Sequence, residues 1–354
     1  MGYPALRLEM LADYESGCEV LGSGGGGGPT PVMVALAGLL RDRELPLLAE
    51  LPPDARVCAA GAMGGPSVFA ERLPAGDEFA IAKRLLLRLG LPAPTVLMPV
   101  ETAGLNGPYA AYLARVEGLP LFDADLMGRA LPTLQQASPA VAAELGPVVL
   151  VAASGEALLA DTRSADSAER ILRAAVPECG GWGLFVTRPF AADELAGAVV
   201  PGTVSRAISL GQALRLLPPW ARGPEIARAV DGRLLGSGAI AEVRRHPRRG
   251  AFGGGNMYLT DTAGGGVVRL EYQNEYLLAA VDGRVAVTCP DLLIVVDPRL
   301  RRLIPPEDLR PRLEVAVVAL EGPRWWKETP ERLARVSPRA FGLDQDPIPW
   351  EAAA

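Results

Sequence analysis

Leu21-Gly22-Ser23-Gly24-Gly25-Gly26-Gly27-Gly28-Pro29 lies between two segments that read as helices, residues 10–20 and 31–41. Seven of these nine residues are Gly or Ser. Glycine frees the backbone for φ > 0 and lets a ligand approach main-chain N–H groups directly. Such a loop feeding a helix offers an anion or oxyanion site, because first-turn N–H groups have no partner inside the helix. A flexible linker is the plain alternative, and a place between two amphipathic segments argues against it. No Gly-Lys-Ser/Thr closes the run, so it is not a Walker A loop. Gly22, Gly24 and Gly27 fit G-x-G-x-x-G, but a helix rather than a strand precedes them. No nucleotide cofactor is expected.

Outward from this run, helical and strand-like segments alternate. Residues 56–66 read as a buried strand entering a Gly-rich turn, and 95–100 as a second strand ending at Glu101. Between them 77–89 carries Phe79, Ile81, Ala82, Leu85, Leu86 and Leu89 near helical spacing, stopped by Gly90. Residues 109–118 read as a helix, 119–123 as a short strand, and 148–153 as another strand. The order β-α-β-α predicts a mostly parallel sheet covered by helices. Glu101, Asn106, Asp123 and Asp125 gather at strand carboxyl ends, where open α/β sheets bind ligands. Residues 160–167 are small and polar and mark a boundary; 168–175 and 204–217 read as helices and 183–187 as a strand. From about residue 230 short strand-like runs recur at 239–244, 266–272, 275–281, 284–288, 292–296 and 314–320, with the hairpin signal Asp282-Gly283 between two of them. The fold class is therefore an α/β N-terminal domain, residues 1–164, and a C-terminal α+β domain rich in antiparallel β, residues 165–354.

The 354 residues can bury a large core, and no apolar run reaches the ~18–20 residues of a membrane span. Glu9, Asp13, Glu15 and Glu19 near the start give the wrong charge pattern for a signal peptide, and a cytoplasmic protein is expected. A net charge of −6 without an extended basic face argues against nucleic acid. Cys18, Cys58, Cys179 and Cys289 form no C-x-x-C pair, so neither a zinc knuckle nor a disulfide framework is expected. His246 is the single histidine, so any His-based triad must use it. It sits in Arg244-Arg245-His246-Pro247-Arg248-Arg249, which reads as a solvated basic turn. Acid–base work falls mainly to carboxylates, a cysteine, a lysine or a tyrosine.

Four constellations could carry chemistry. Glu101 ends a strand and Asn106 follows in a Gly-bearing turn; orienting a substrate and capping the next helix are both open to Asn106. Asp123 and Asp125, two residues apart, could flank a hard cation such as Mg²⁺, or one could ionise while the other stays neutral, with Arg129 pairing one of them or holding an anionic substrate. A capped turn with a structural ion pair is the alternative. Gln273-Asn274-Glu275 interrupts apolar strands and needs partners, a ligand or solvent. Cys289 and Asp291 flank Pro290 ahead of an apolar strand; an inert buried thiol is favoured over a nucleophile, and Cys18 is likewise read as core. Trp325-Trp326 and the stretch 338–342 read as packing the tail against the body.

Six of these stretches occur in one order: the Leu-Gly-Ser-(Gly)5-Pro run, Glu101-Thr102-Ala103-Gly104-Leu105-Asn106, the acidic segment from Asp123 to Pro132, Gln273-Asn274-Glu275, Pro290-Asp291-Leu292, and Pro338-Arg339-Ala340-Phe341-Gly342. Together they resemble the S-methyl thiohydantoin desulfurase family, from about residue 10 to 345. The resemblance implies a two-domain cytoplasmic hydrolase acting on a hydantoin-type or S-methyl thiohydantoin-type heterocycle, releasing methanethiol. Gly28 stands where that family usually has aspartate, and Thr102-Ala103-Gly104 where it tends toward Ile-Gly-Gly; both could signal a changed substrate. On this reading Glu101, Asp123, Asp125 and Glu275 are the acid–base groups, and Ser23, Gly24, Gly25, Gly26, Asn106, Arg129, Asn274 and Asp291 bind substrate. A divalent metal stays open as cofactor. The expected partner is a small heterocycle, not nucleic acid or membrane, and self-association is left open. The alternatives are an accessory subunit beside a hydantoinase-like enzyme and a metal-dependent cyclic amidase.

Overall fold

Arg56–Gly64 (β3) is apolar almost throughout and buried from Val57 to Gly61, as a strand covered on both faces must be. The computed structural model to which it belongs describes residues 2–138, 145–162, 164–249, 252–262 and 264–350. Packing divides the chain into two units. The first holds residues 1–18 and 27–208, the second residues 19–26 and 209–354.

The first unit is built on a nine-stranded sheet. Its strands are β1 (Ala5–Leu6), β2 (Leu45–Leu48), β3, β4 (Val96–Pro99), β5 (Leu121–Phe122), β7 (Val148–Ala152), β8 (Ala157–Ala160), β9 (Trp182–Thr187) and β10 (Phe190–Ala191). They lie in the order β1-β2-β5-β4-β3-β9-β7-β8, with β10 also on β3. β2, β5, β4 and β3 run parallel, and every other pairing is antiparallel. The sheet is thus mixed, with the expected parallel arrangement at its core. The antiparallel flank arises because β7 and β8 join through a tight turn at Gly155 (φ 94°), which no crossover helix interrupts. Helices α1 (Leu11–Gly22), α2 (Thr30–Leu39), α3 (Pro66–Glu71), α4 (Glu78–Arg88), α5 (Asn106–Glu117), α6 (Ala165–Ala175) and α7 (Thr203–Arg215) accompany it. On α4, Phe79, Ala82 and Leu86 turn inward at helical spacing and pack towards β7 and β9. A short ladder pairs β6 (Ala124–Asp125) with β11 (Val200–Pro201).

The second unit is a seven-stranded antiparallel sheet, β16-β15-β14-β13-β12-β18-β17. The ranges are β12 (Arg233–Arg249), β13 (Phe252–Thr260), β14 (Val267–Tyr272), β15 (Tyr276–Val281), β16 (Arg284–Thr288), β17 (Leu292–Val296) and β18 (Glu314–Leu320). On β14 Val268, Leu270 and Tyr272 point into the core while Val267, Arg269 and Glu271 face out, the period of two that a one-sided strand requires. Asp282 (φ 48°) and Gly283 (φ 80°) form the β15–β16 turn, as that dipeptide foretells. Two sequence readings are corrected. Residues 244–249 are strand, not turn: His246 pairs with Gly254 across β12 and β13. β13, hidden by Gly253-Gly254-Gly255, was not expected as a strand; Gly255 is needed there because a Cβ would overlap the Arg244 carbonyl. Of the boundary stretch 160–167, residue 163 lies outside the described residues.

Candidate active site

In the first unit, the loops leaving β4 and β5 bring together the predicted polar residues at the carboxyl ends of the parallel strands. Glu101, two residues beyond β4, is 6% exposed. Its Oε1 accepts from Asn106 Nδ2 at 2.7 Å and its Oε2 from the Leu131 N–H at 3.1 Å. Asn106 Oδ1 accepts from the Ala62 N–H at 2.6 Å. Asn106 opens α5 and does not cap it; its amide ties β3 to Glu101. Gly61 keeps that space, because a Cβ there would press on Val100 and Asn106.

Asp123 and Asp125 turn to different partners, not to a shared centre. Asp123 accepts from the Ser205 N–H at 2.9 Å and from Ser205 Oγ at 2.5 Å. Asp125 is wholly buried and accepts main-chain N–H groups of Thr102 at 2.7 Å, Met127 at 2.9 Å and Gly128 at 2.5 Å. Burial outweighs these donors and pushes its carboxyl up to about 6. Adjacent strand residues point to opposite sides and those two apart to the same side, yet the loop twists the two carboxylates onto separate donors. Among the described residues no group of three or more His, Cys, Asp or Glu side chains is placed to hold a metal ion. The donor set does not fit the divalent cation considered above. Arg129 has no exposed surface, and its Nε donates to the Ala130 carbonyl at 3.2 Å.

Five residues were not singled out for the site by the sequence reading: Thr102, Thr203, Ser205, Gly202 and Tyr14. Thr102 Oγ1 and Thr203 Oγ1 lie 2.8 Å apart, both buried. Ser205 on α7 holds Asp123, and Gly202 donates its N–H to the Asp123 carbonyl at 2.6 Å. Tyr14 on α1 is buried; its hydroxyl lies against Gly107 and is pushed well above the usual range by burial first and then by Cys18, Asp123 and Asp125. The signal for the α7 residues was only a helix start at Gly202-Thr203; nothing local ties it to residues some eighty positions earlier.

In the second unit the glycine run meets the β14–β15 turn. Ser23 (φ 48°), Gly24 (φ 90°) and Gly26 (φ 81°) lie in the left-handed region. Ser23 Oγ donates to the Leu293 carbonyl at 2.9 Å and accepts from its N–H at 3.0 Å, while the Ser23 carbonyl accepts from the Tyr276 N–H at 2.7 Å. A Cβ on Gly24 would stand 2.6 Å from the Tyr276 ring, and one on Gly25 2.6 Å from Glu275 Oε1. Glu275 is 1% exposed, and Asn274 Nδ2 donates to its Oε1 at 2.8 Å. In the same turn Gln273 Nε2 donates to the Phe341 carbonyl at 2.6 Å. Asp291, ahead of β17, accepts the Gly322 N–H at 2.7 Å and pairs with Lys327, a cation from beside the Trp pair that sequence distance concealed. Cys289 is buried. His246 is exposed, its Nε2 3.2 Å from Asn256 Oδ1.

These observations define a class: a mixed α/β unit with buried acids at the carboxyl ends of its parallel strands, in one chain with an antiparallel β unit. The S-Me-THD-like, N-terminal domain family matches residues 9–162, and the S-Me-THD-like, C-terminal domain family matches residues 163–350. The chain belongs to the S-Me-THD-like family. It is similar in fold to the X-ray crystal structure of a protein from Chromobacterium violaceum, with a TM-score of 0.80 and 21% identity over 96% of this chain and 97% of that one. No curated protein matches the chain. The family boundary at 162/163 differs from the packing division, which keeps residues 163–208 with the first unit.

Proposed function

We propose that this chain is a hydrolase that removes the methylthio group from an S-methylated thiohydantoin-type ring. The observation that carries the reading is the acid pair at the strand ends: Glu101, buried and oriented by Asn106, beside the β6 loop where burial pushes the Asp125 carboxyl up to about 6. The carbon bearing the methylthio group is electrophilic, more so when the adjacent ring nitrogen is protonated. Water adds to that carbon while Glu101 takes its proton. The tetrahedral adduct collapses, the C–S bond breaks, the departing methanethiolate takes that proton from Glu101, and the second proton of the water ends on the ring nitrogen. Ring C=O and methanethiol are the products, so one water is consumed and no oxidant is needed. Asn106 orients Glu101, and Asp125 with Asp123 holds the loop that presents it. Four free thiols fit a reducing, cytoplasmic setting, and no described helix is long and apolar enough to cross a membrane.

The test is incubation of the purified protein with S-methyl thiohydantoins and hydantoins, read by thiol release and product mass, with and without chelator. Thiol release that falls about 10²–10⁴-fold in Glu101→Gln supports the reading. Ring opening without thiol would replace it with a cyclic amidase. A folded protein inert across the panel would favour an accessory role.

A further inference from the structure

We propose that Arg245 and Tyr272, with the glycine stretch of β13 between them, form a binding site in the second unit for the oxyanion group, carboxylate or phosphate, of a small molecule. Neighbouring strands build it. Arg245 on β12 pairs with Gly255 on β13, and Gly255 pairs with Tyr272 on β14. Directly paired residues of an antiparallel ladder project from the same face. The guanidinium and the phenol therefore stand on one side of the sheet, with bare backbone between them. Gly255 keeps that backbone bare, because a Cβ there would stand 2.5 Å from the Tyr272 hydroxyl oxygen. The hydroxyl thus reaches over β13 toward β12. Gly253, two residues along the same strand, is exposed and has nothing within 4 Å of where its Cβ would be, so this floor is open at that end.

Both side chains have donors to spare. Tyr272 is 6% exposed, and its hydroxyl oxygen is buried with no hydrogen-bond partner among the described residues. Tyr276, its pair on β15, differs: that hydroxyl donates to the Ile304 carbonyl at 2.7 Å. A buried hydroxyl left unpaired is destabilising, and a ligand that accepts its proton removes the penalty. Burial raises the Tyr272 pKa and the Arg245 charge opposes the rise, so the phenol stays protonated and the guanidinium lies near enough to act on it. Arg245 Nη2 donates to the Glu307 carbonyl at 3.2 Å and the Leu309 carbonyl at 2.9 Å, which fixes the guanidinium. A guanidinium has five N–H donors, so those on Nε and Nη1 remain. Among the described residues no carboxylate forms an ion pair with Arg245; the nearby acids Glu242 and Asp308 pair with Arg244 and Arg302 instead. A fixed cation without a counter-charge, beside a stranded donor, matches an anion with oxygen acceptors. Bracing the 307–309 carbonyls would need Arg245 alone, and Phe would fill position 272 without stranding a hydroxyl.

The experiment titrates the full chain with acetate and with inorganic phosphate at constant ionic strength, with chloride as the control. The readout is the Gly253 amide resonance in glycine-selective ¹⁵N-labelled protein, assigned by its loss in Gly253→Ala. A saturable shift with a dissociation constant in the millimolar range is expected from at least one oxyanion and not from chloride. The tighter of the two names the ligand group, carboxylate or phosphate. Tyr272→Phe keeps the ring and should weaken that anion about three- to tenfold. Arg245→Gln should abolish saturation. A shift that chloride reproduces, no saturable shift from either oxyanion, or wild-type affinity in folded Tyr272→Phe overturns the proposal. Should Arg245→Gln fail to fold, Arg245→Lys takes its place: weakened binding supports the proposal and wild-type affinity overturns it. No arm depends on thiol release, so the site stands or falls independently of the proposed reaction.

Discussion

Asp125 shows how burial and hydrogen bonding compete on one residue. Three main-chain donors favour its anion, yet complete desolvation wins and the carboxyl rises from 3.8 to about 6. Between about pH 4 and 6 the native chain keeps a proton that the unfolded chain has released. The contribution of this group to stability is therefore fullest below about pH 4 and is lost as pH rises through 6. The shift corresponds to up to about 3 kcal/mol. Asp125→Asn lacks this titration, so the stability of wild type relative to the variant should fall between pH 4 and 7 in denaturant melts. A difference that grew with pH would show a natively ionised, low-pKa aspartate instead. At every pH the Asn amide would face N–H donors and cost about 1–3 kcal/mol. The glycine run separates in the same way. Gly24→Ala meets the Tyr276 ring at φ 90° and should cost about 2 kcal/mol or more, whereas Gly28, with open space and no left-handed φ, should accept Ala within about 0.5 kcal/mol. Equal thermal shifts for the two would refute this account of the loop. Gly28 also has room for the aspartate that the family resemblance leads one to expect.

At the scale of elements, regular patterns were readable and close approaches were not. α4 and β14 follow from hydrophobic spacing, and the β15–β16 hairpin follows from Asp282-Gly283. Gly283→Ala, at φ 80°, should lower stability by about 1 kcal/mol, seen as a shift in the denaturant midpoint at unchanged slope. β13 escaped because three successive glycines carry no periodicity, although cross-strand pairing holds them. α1 and α7 were both legible as helices, but their contact was not. A Cβ on Gly17 would overlap the Ala207 carbonyl, so the two backbones touch there. Gly17→Ala should cost more than any exposed helix substitution, about 2–3 kcal/mol, despite its favourable helix propensity. A stabilised variant would mean that the helices lie farther apart.

For the molecule as a whole, β9 lies between β3 and β7, so residues beyond the family boundary at 162/163 complete the first sheet. A fragment of residues 1–162 should therefore show no cooperative unfolding transition by circular dichroism, since β7 and β8 lose the strand that links them to β3. A fragment with a sharp transition would show that the N-terminal family domain is self-sufficient. The amino-acid sequence alone determined the alternation of helices and strands, the hairpin at Asp282-Gly283, and the family to which the chain belongs. These are set by local periodicity, turn chemistry and an ordered series of short motifs. It also singled out Glu101, Asn106 and Asp125 by their place after predicted strands. Only the tertiary structure decided which partner each acid meets: Ser205 for Asp123, main-chain N–H groups and Thr102 for Asp125, and Lys327 for Asp291. Those partners lie up to 82 residues away. The protonation and orientation of a buried carboxylate depend on what surrounds it in space, and spacing along the chain carries no record of that.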